Sequence, residues 1–167
     1  MLTYHPIFDS NHCLFRIFFL LQRLEGVPLE IDKVRLFDFY LCAPHSLKIL
    51  RTNSNELRSK KKNILNSLSR YDEIDNPKTL FFDAESIQFT VLNYLAAKNI
   101  VSVDQYKKGY VVINSDNYSE TIVSNEKKSI LPKVIALIED ELQNIPLLGN
   151  DGLKHRSNLM EYRYDLL

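Results

Sequence analysis

Apolar positions along the chain fall mostly at helical spacing. Leu14, Ile17, Phe18, Leu21 and Leu24 stand at i, i+3, i+4, i+7 and a turn beyond, which predicts a first helix from Asp9 or Ser10 to about Leu24. Asp9 and Ser10 are both good caps, and Gly26 and Pro28 close the segment. Phe15, Phe19 and Leu20 make this helix apolar almost all round, so it must be covered on most sides, by the rest of the fold or by another chain. A second helix is predicted over about residues 30–42, with Glu30 and Asp32 in the first turn, where the helix dipole favours acids. Val34, Leu36, Phe37, Tyr40 and Leu41 supply its apolar faces, and Pro44 stops it. A short helical turn over 46–50 follows, then a helix over about 55–69 carried by Leu57, Ile64, Leu65 and Leu68. Residues 70–77 are polar and acidic and read as a surface loop closed by Asn76-Pro77.

The clearest local unit comes next. Asp83 is placed to cap a helix over about residues 84–98, with Ile87, Val91, Leu92 and Leu95 on one face. Behind it, Ile100, Val101 and Val103, a Lys107-Lys108-Gly109 turn, and Tyr110-Val111-Val112-Ile113 predict a β-hairpin. A helix running straight into a hairpin is the ending of a winged helix-turn-helix, with the hairpin as the wing. Residues 114–128 are polar, with a short strand predicted at Thr121-Ile122-Val123. A last clear helix over about 130–144 carries Leu131, Val134, Ile135, Ile138 and Leu142, with Pro132 tolerated in its first turn. The tail from Leu147 holds Leu159, Met160, Tyr162, Tyr164, Leu166 and Leu167, and predicts a short amphipathic piece. The expected fold is mainly α with a small β-hairpin (α+β). It comprises a winged helix-turn-helix core over residues 1–114 and a C-terminal helical extension over 115–167 that packs on the core or on a partner.

Composition narrows the class. The 167 residues are 45% hydrophobic and 11% aromatic, which excludes a disordered chain and suffices for a sizeable core. Lys+Arg number 21 and Asp+Glu 21, so the net charge is zero and a whole-surface polycation that grips nucleic acid non-specifically is excluded. The run Ile17-Phe18-Phe19-Leu20-Leu21 is far short of the ~20 apolar residues that span a bilayer. No basic region or small-residue cleavage site precedes it, so a cytoplasmic protein is expected. Cys13 and Cys42 each sit in an apolar stretch; one disulfide is formally open to them, and buried free thiols are the alternative adopted.

Catalytic chemistry finds little to work with. Only four glycines are present, with no Gly-rich phosphate loop and no G-x-S-x-G elbow, and no catalytic residue is assigned. His5, His12, Cys13, Cys42 and His45 lie close in sequence, and Cys42-x-x-His45 has ligand-like spacing, but no second knuckle pairs with it. No metal, other cofactor or small-molecule substrate is expected.

Nucleic-acid contact has more to draw on. Gln88, Thr90 and Asn93 are expected on the outward face of the helix before the wing, and their side chains can read base edges. Lys98, Lys107 and Lys108 would touch phosphates, but three such contacts give a salt slope of only about −2.7. Lys60, Lys61 and Lys62 lie in a stretch that also holds Lys48, Arg51 and Arg58 against one acid, Glu56. They add phosphate contacts, form a solvated face, or meet an acidic partner. His5, Asp9, His12 and Arg16 predict a polar cluster at the start of the first helix, either structural or part of an interface.

Three segments carry a resemblance. They are Tyr4-His5-Pro6-Ile7-Phe8-Asp9-x-x-His12-Cys13-x-Phe15-Arg16, then Ile31-Asp32-x-x-Arg35-Leu36-x-Asp38-Phe39-Tyr40 ahead of Pro44, and lastly Glu85-Ser86-Ile87-Gln88 with Leu95-Ala96-Ala97-Lys98-Asn99-Ile100-Val101. Over about residues 4–113 the chain resembles the small middle components of bacterial ABC-type three-component systems. The resemblance implies a winged-helix adaptor that is not itself an enzyme. It would bridge an ABC-type ATPase and an effector protein in defence against phage or other mobile DNA, with at most a weak DNA contact. Two rivals stay open: a stand-alone winged-helix transcription regulator, and an enzyme with an N-terminal metal. Charge placement bears on the choice. Bases bunch over residues 48–62 and at the wing, and acids over 72–75 and 139–141, which suits a chain that sits between partners.

Overall fold

Eight helices and one small sheet account for the regular structure among the described residues. The helices are α1 (Ser10–Arg23), α2 (Ile31–Cys42), α3 (Asn55–Asn66), α4 (Pro77–Asp83), α5 (Glu85–Ala97), α6 (Val103–Lys107), α7 (Pro132–Asp140) and α8 (Leu153–Ser157). The sheet pairs β1 (Leu29–Glu30) antiparallel with β2 (Tyr110–Val111). The computed structural model describes residues 5–70, 73–117 and 132–161.

The capping expected of Asp9 is present: its carboxylate accepts from the N–H groups of Asn11 (2.8 Å) and His12 (3.0 Å), two donors that the first turn of α1 leaves open. The apolar circumference of α1 is covered by the fold itself, chiefly by α2 and α5. α2 lies at the centre, and every residue from Lys33 to Leu41 is buried. A helix apolar on all sides belongs in the middle of a core. α1, α7, β1, β2 and a 3-10 turn over Pro44–Ile49 surround it. Pro44 opens that turn as well as ending the helix, because a first turn has no use for the N–H that proline lacks.

Two expectations need correction. The polar stretch before Pro77 hides a helix start: the Asn76 side chain accepts from the Thr79 N–H at 3.1 Å and Pro77 is the first residue of α4. Asp83 therefore ends α4 and does not cap α5, which follows across Ala84 with no side-chain cap. The hairpin also differs. Residues 103–107 form α6, capped by the Ser102 hydroxyl and with Asp104 in the first turn, so a helical signal outweighs Val103. The chain does fold back antiparallel: Ser102 N–H bonds to the Val112 carbonyl at 2.9 Å and Asn114 N–H to that of Ile100 at 2.8 Å, around a Val101–Ile113 bridge. The ladder partner of β2 is β1, however, with Leu29 opposite Val111 and Glu30 opposite Tyr110. Lys107 and Lys108 thus stand at the end of a helical turn, not at the tip of a two-stranded wing.

α7 closes at Asp140 and tightens into a 3-10 turn over Leu142–Asn144. The strand expected at Thr121-Ile122-Val123 lies outside the described residues. Within the tail, Leu153, Leu159 and Met160 join the same buried cluster as the side chains of α1 and α2. Arg51 N–H bonds to the Arg156 carbonyl at 2.9 Å. The Arg156 guanidinium holds the Asp151 carbonyl (2.6 Å), the Asn53 side chain (2.7 Å) and the Asp151 carboxylate.

Leu153, fully buried, sets a test of whether the tail and core unfold together. Leu153→Ala is expected to lower the unfolding free energy by about 2–5 kcal/mol. Gly152→Ala, whose new Cβ meets the carbonyl oxygens of Leu147 and Leu148, is expected to cost about 1–3 kcal/mol. Urea titration followed by circular dichroism reads both, and an unmoved midpoint for Leu153→Ala would separate the tail from the core.

Candidate functional site

Three pairs of residues, each spaced i, i+3 on its own helix, meet in a network that is buried except at Glu85, which is partly exposed. α1 brings Cys13 and Arg16, α2 brings Arg35 and Asp38, and α5 brings Glu85 and Gln88. That spacing places both members of a pair on one face of a helix. Asp38 has no exposed surface. Its Oδ1 accepts from Arg16 Nε at 2.7 Å; its Oδ2 accepts from Gln88 Nε2 at 2.9 Å and Arg16 Nη2 at 3.4 Å, and lies 3.8 Å from the Cys13 sulfur. Burial works against the Arg16 charge, but the Asp38 carboxylate outweighs it and holds the guanidinium pKa above its ordinary value. The Gln88 amide also donates to the Arg35 carbonyl at 3.0 Å and accepts from Arg35 Nε at 3.2 Å.

From there the network runs outward. Arg35 Nη1 bonds to Asp32 at 2.9 Å and Nη2 to Glu85 at 2.6 Å, while the rings of Phe81 and Phe89 flank the guanidinium at 5.1 Å each. Lys154 of α8 reaches Asp32 at 3.4 Å. This outer end lines a cleft of about 530 Å³ shared by α2, α4, α5 and the tail, with Lys78, Phe82, Leu159 and Met160 on its walls.

The residues expected to touch DNA are scattered. Gln88 is buried in the network just described and not on an outward face, because its amide completes the coordination of Asp38. Thr90 bonds back to the Ser86 carbonyl, and Asn93, though exposed, accepts from the Tyr106 hydroxyl at 2.8 Å. Lys98 is exposed with its ammonium 5.8 Å from the Tyr94 ring, and Lys107 and Lys108 are exposed at the end of α6. In the α3 stretch, Lys60 pairs with Glu141 (2.7 Å), Asp140 (3.2 Å) and Glu56 (3.3 Å), which raise its pKa. Lys61 donates to the Leu50 carbonyl at 2.7 Å, and Lys62 points to solvent. Lys48 pairs with Glu73 and Arg23 with Glu139, both at 2.6 Å. Thus Glu73, Glu139, Asp140 and Glu141 of the acidic runs meet basic residues of the same molecule, whereas Asp75 is exposed and pairs with none among the described residues; Asp72 lies outside the described residues.

The N-terminal polar cluster divides. His5 Nδ1 accepts from the Ile7 N–H at 3.2 Å, and burial followed by the nearby Arg16 charge lowers its pKa. Asp9 caps α1, His12 is exposed, and Arg16 alone turns inward. The sequence reading missed Asp32, Arg35, Asp38 and Glu85 as a unit. A signal was present: Asp32, Arg35 and Asp38 recur every three residues through a helix whose other positions are largely apolar.

The nucleophiles of this region have raised pKa values, Cys13 and Tyr40 being buried and Cys42 half-buried. Burial first, then Asp38, pushes the Cys13 thiol up strongly; burial pushes Cys42 up to about 11 and also raises the Tyr40 hydroxyl. Both cysteines are free. Among the described residues no three His, Cys, Asp or Glu side chains gather as metal ligands, and no helix is long and apolar enough to cross a membrane.

Residues 2–165 match the family described as ABC-three component (ABC-3C) system Middle Component 5. Neither the curated proteins nor the solved structures return a match. The segments that carry the sequence resemblance contain Cys13, Arg16, Asp32, Arg35, Asp38, Glu85 and Gln88, which together build the network, buried at Asp38 and partly exposed at Asp32 and Glu85.

Asp38→Asn leaves Arg16 buried without its counter-charge and is expected to cost about 3–5 kcal/mol. Arg16→Met combined with Asp38→Asn should cost less than the sum of the single changes, as a double-mutant cycle in urea will read. For the thiols, native protein at pH 8 should react with a disulfide reagent far more slowly than denatured protein. The rate at Cys42 should keep rising ~tenfold per pH unit beyond pH 9, since its thiolate forms only near 11.

Proposed function

The chain belongs to the ABC-three component system Middle Component 5 family, and on that premise we propose that it is a non-catalytic adaptor bridging an ABC-type ATPase and an effector protein in a bacterial defence system. The observation that carries this reading is the mutual pairing of the deep charged and amide groups, the Tyr40 hydroxyl being the buried side-chain oxygen left without a partner among the described residues. Arg16, Arg35, Asp38 and Gln88 are bonded to one another or to close neighbours, so they lock three helices into a block and offer no acid, base or nucleophile for a reaction. Cys13 and Cys42, the remaining nucleophiles of that region, stay protonated near neutral pH.

The element order supports a winged-helix variant. β1 between α1 and α2 pairs with the strand that returns after α5; α3 and α4 are inserted between α2 and α5, and the helical turn α6 takes the place of a hairpin tip. DNA contact in this reading is electrostatic and secondary. Lys98, Lys107 and Lys108 are exposed for phosphates, while the burial of Gln88 removes one of the expected base readers.

Co-expression of the tagged chain with the ABC-type ATPase and the third protein encoded beside it is expected to yield a complex of all three on gel filtration. Absence of either partner from the complex would overturn the bridge. Duplex DNA should bind without sequence preference and with a salt slope near about −2.7, reduced by Lys107→Glu and Lys108→Glu. Sequence-selective binding by the chain alone would instead indicate a transcription regulator.

A further inference from the structure

From the outer cleft we infer a docking face for a partner segment that pairs an acidic side chain with an apolar anchor. The inference rests on the adaptor reading and names the surface that the bridge would use.

α4 presents two neighbouring aromatics to opposite sides. Phe81 turns inward, edge-on to Phe39 at 5.2 Å and against the Arg35 guanidinium, whereas Phe82 is 71% exposed, the most of any large hydrophobic side chain among the described residues. A single exposed ring would need no explanation. Phe82, however, stands on the rim of the 530 Å³ cleft, beside the apolar surface of Phe81, Leu159 and Met160. Aromatic side chains, phenylalanine among them, are enriched in the cores of protein interfaces, so an exposed ring beside apolar surface marks a place for a partner.

Charge decides what fits. Asp32 and Glu85 are both turned onto Arg35, Lys154 is turned onto Asp32, and Glu161, the third acid of the lining, has an interaction of its own. Lys78, one helical turn before Phe82 on the same face of α4, has no hydrogen bond or ion pair among the described residues. The cleft therefore offers an uncommitted cation next to an exposed ring and an apolar floor. Its complement is an acid beside an apolar anchor, carried by a partner protein. A two-fold contact between copies would bring both Lys78 side chains into one small interface, which disfavours self-association through this face.

The test uses the full chain co-expressed with the ATPase and the third protein. Phe82→Ser and Lys78→Glu, both at exposed positions, should leave the urea midpoint unchanged. Phe82→Ser should weaken the hold on one of the two partners by about tenfold or more, and Lys78→Glu by about fivefold. Added salt should narrow the gap between wild type and Lys78→Glu, and Lys62→Glu should bind as wild type does. If the chain holds both partners and the two cleft variants bind them equally well, the docking face is wrong and the adaptor reading stands. If the wild-type chain holds neither partner, the adaptor reading fails and this face with it. A wild-type dimer that Phe82→Ser dissociates would assign the cleft to a second copy and overturn the partner segment.

Discussion

A carboxylate with no exposure to water must receive its counter-charge and its donors from the fold, and at Asp38 two neighbouring helices deliver them. Arg16 comes from α1 and Gln88 from α5, and the acceptor itself lies on the central helix α2. Each of these groups would be costly to bury alone. Together they fix how three apolar helices sit against one another, since hydrophobic contact alone specifies neither rotation nor register closely. The same chain of bonds continues through Arg35 to Glu85, Asp32 and Lys154, so the position of the outer cleft is tied to the core.

This constraint changes the meaning of the zero net charge. The basic run over residues 48–62 and the acids over 139–141 suggested surfaces for opposite partners. In the folded chain Lys60 meets Asp140 and Glu141, and Arg23 meets Glu139, bringing α3 and α1 to α7. Exposed ion pairs of this kind contribute little stability each. Their consequence is to remove charge from the surface that would otherwise attract nucleic acid or an acidic protein. What remains for a partner is smaller and more local: exposed cations such as Arg58, Lys62, Lys107 and Lys108, and the cleft with its exposed aromatic ring.

The molecule keeps its polar and apolar side chains in separate places. Polar chemistry is turned inward, where it makes the scaffold rigid; apolar exposure is turned outward at Phe82. Preorganisation of this sort lowers the entropy lost when a partner docks.

Much of the architecture was legible in the chain. Helical spacing placed α1, α2, α3, α5 and α7 to within a few residues at most ends, and Asp9 announced its cap, because these depend on local periodicity and local hydrogen bonds. The start of α4 at Asn76-Pro77 was equally local but was hidden in a polar stretch. The three segments of the resemblance held the network residues without indicating that they touch. Only the tertiary structure decided that Gln88 faces Asp38 and not solvent, that β2 pairs with β1, and that Lys60 is matched by Asp140 and Glu141. The physical reason is the same in each case. A periodic pattern tells which face of an element is apolar, but a polar side chain on that face is buried or exposed according to whether a distant segment arrives with its hydrogen-bond partner.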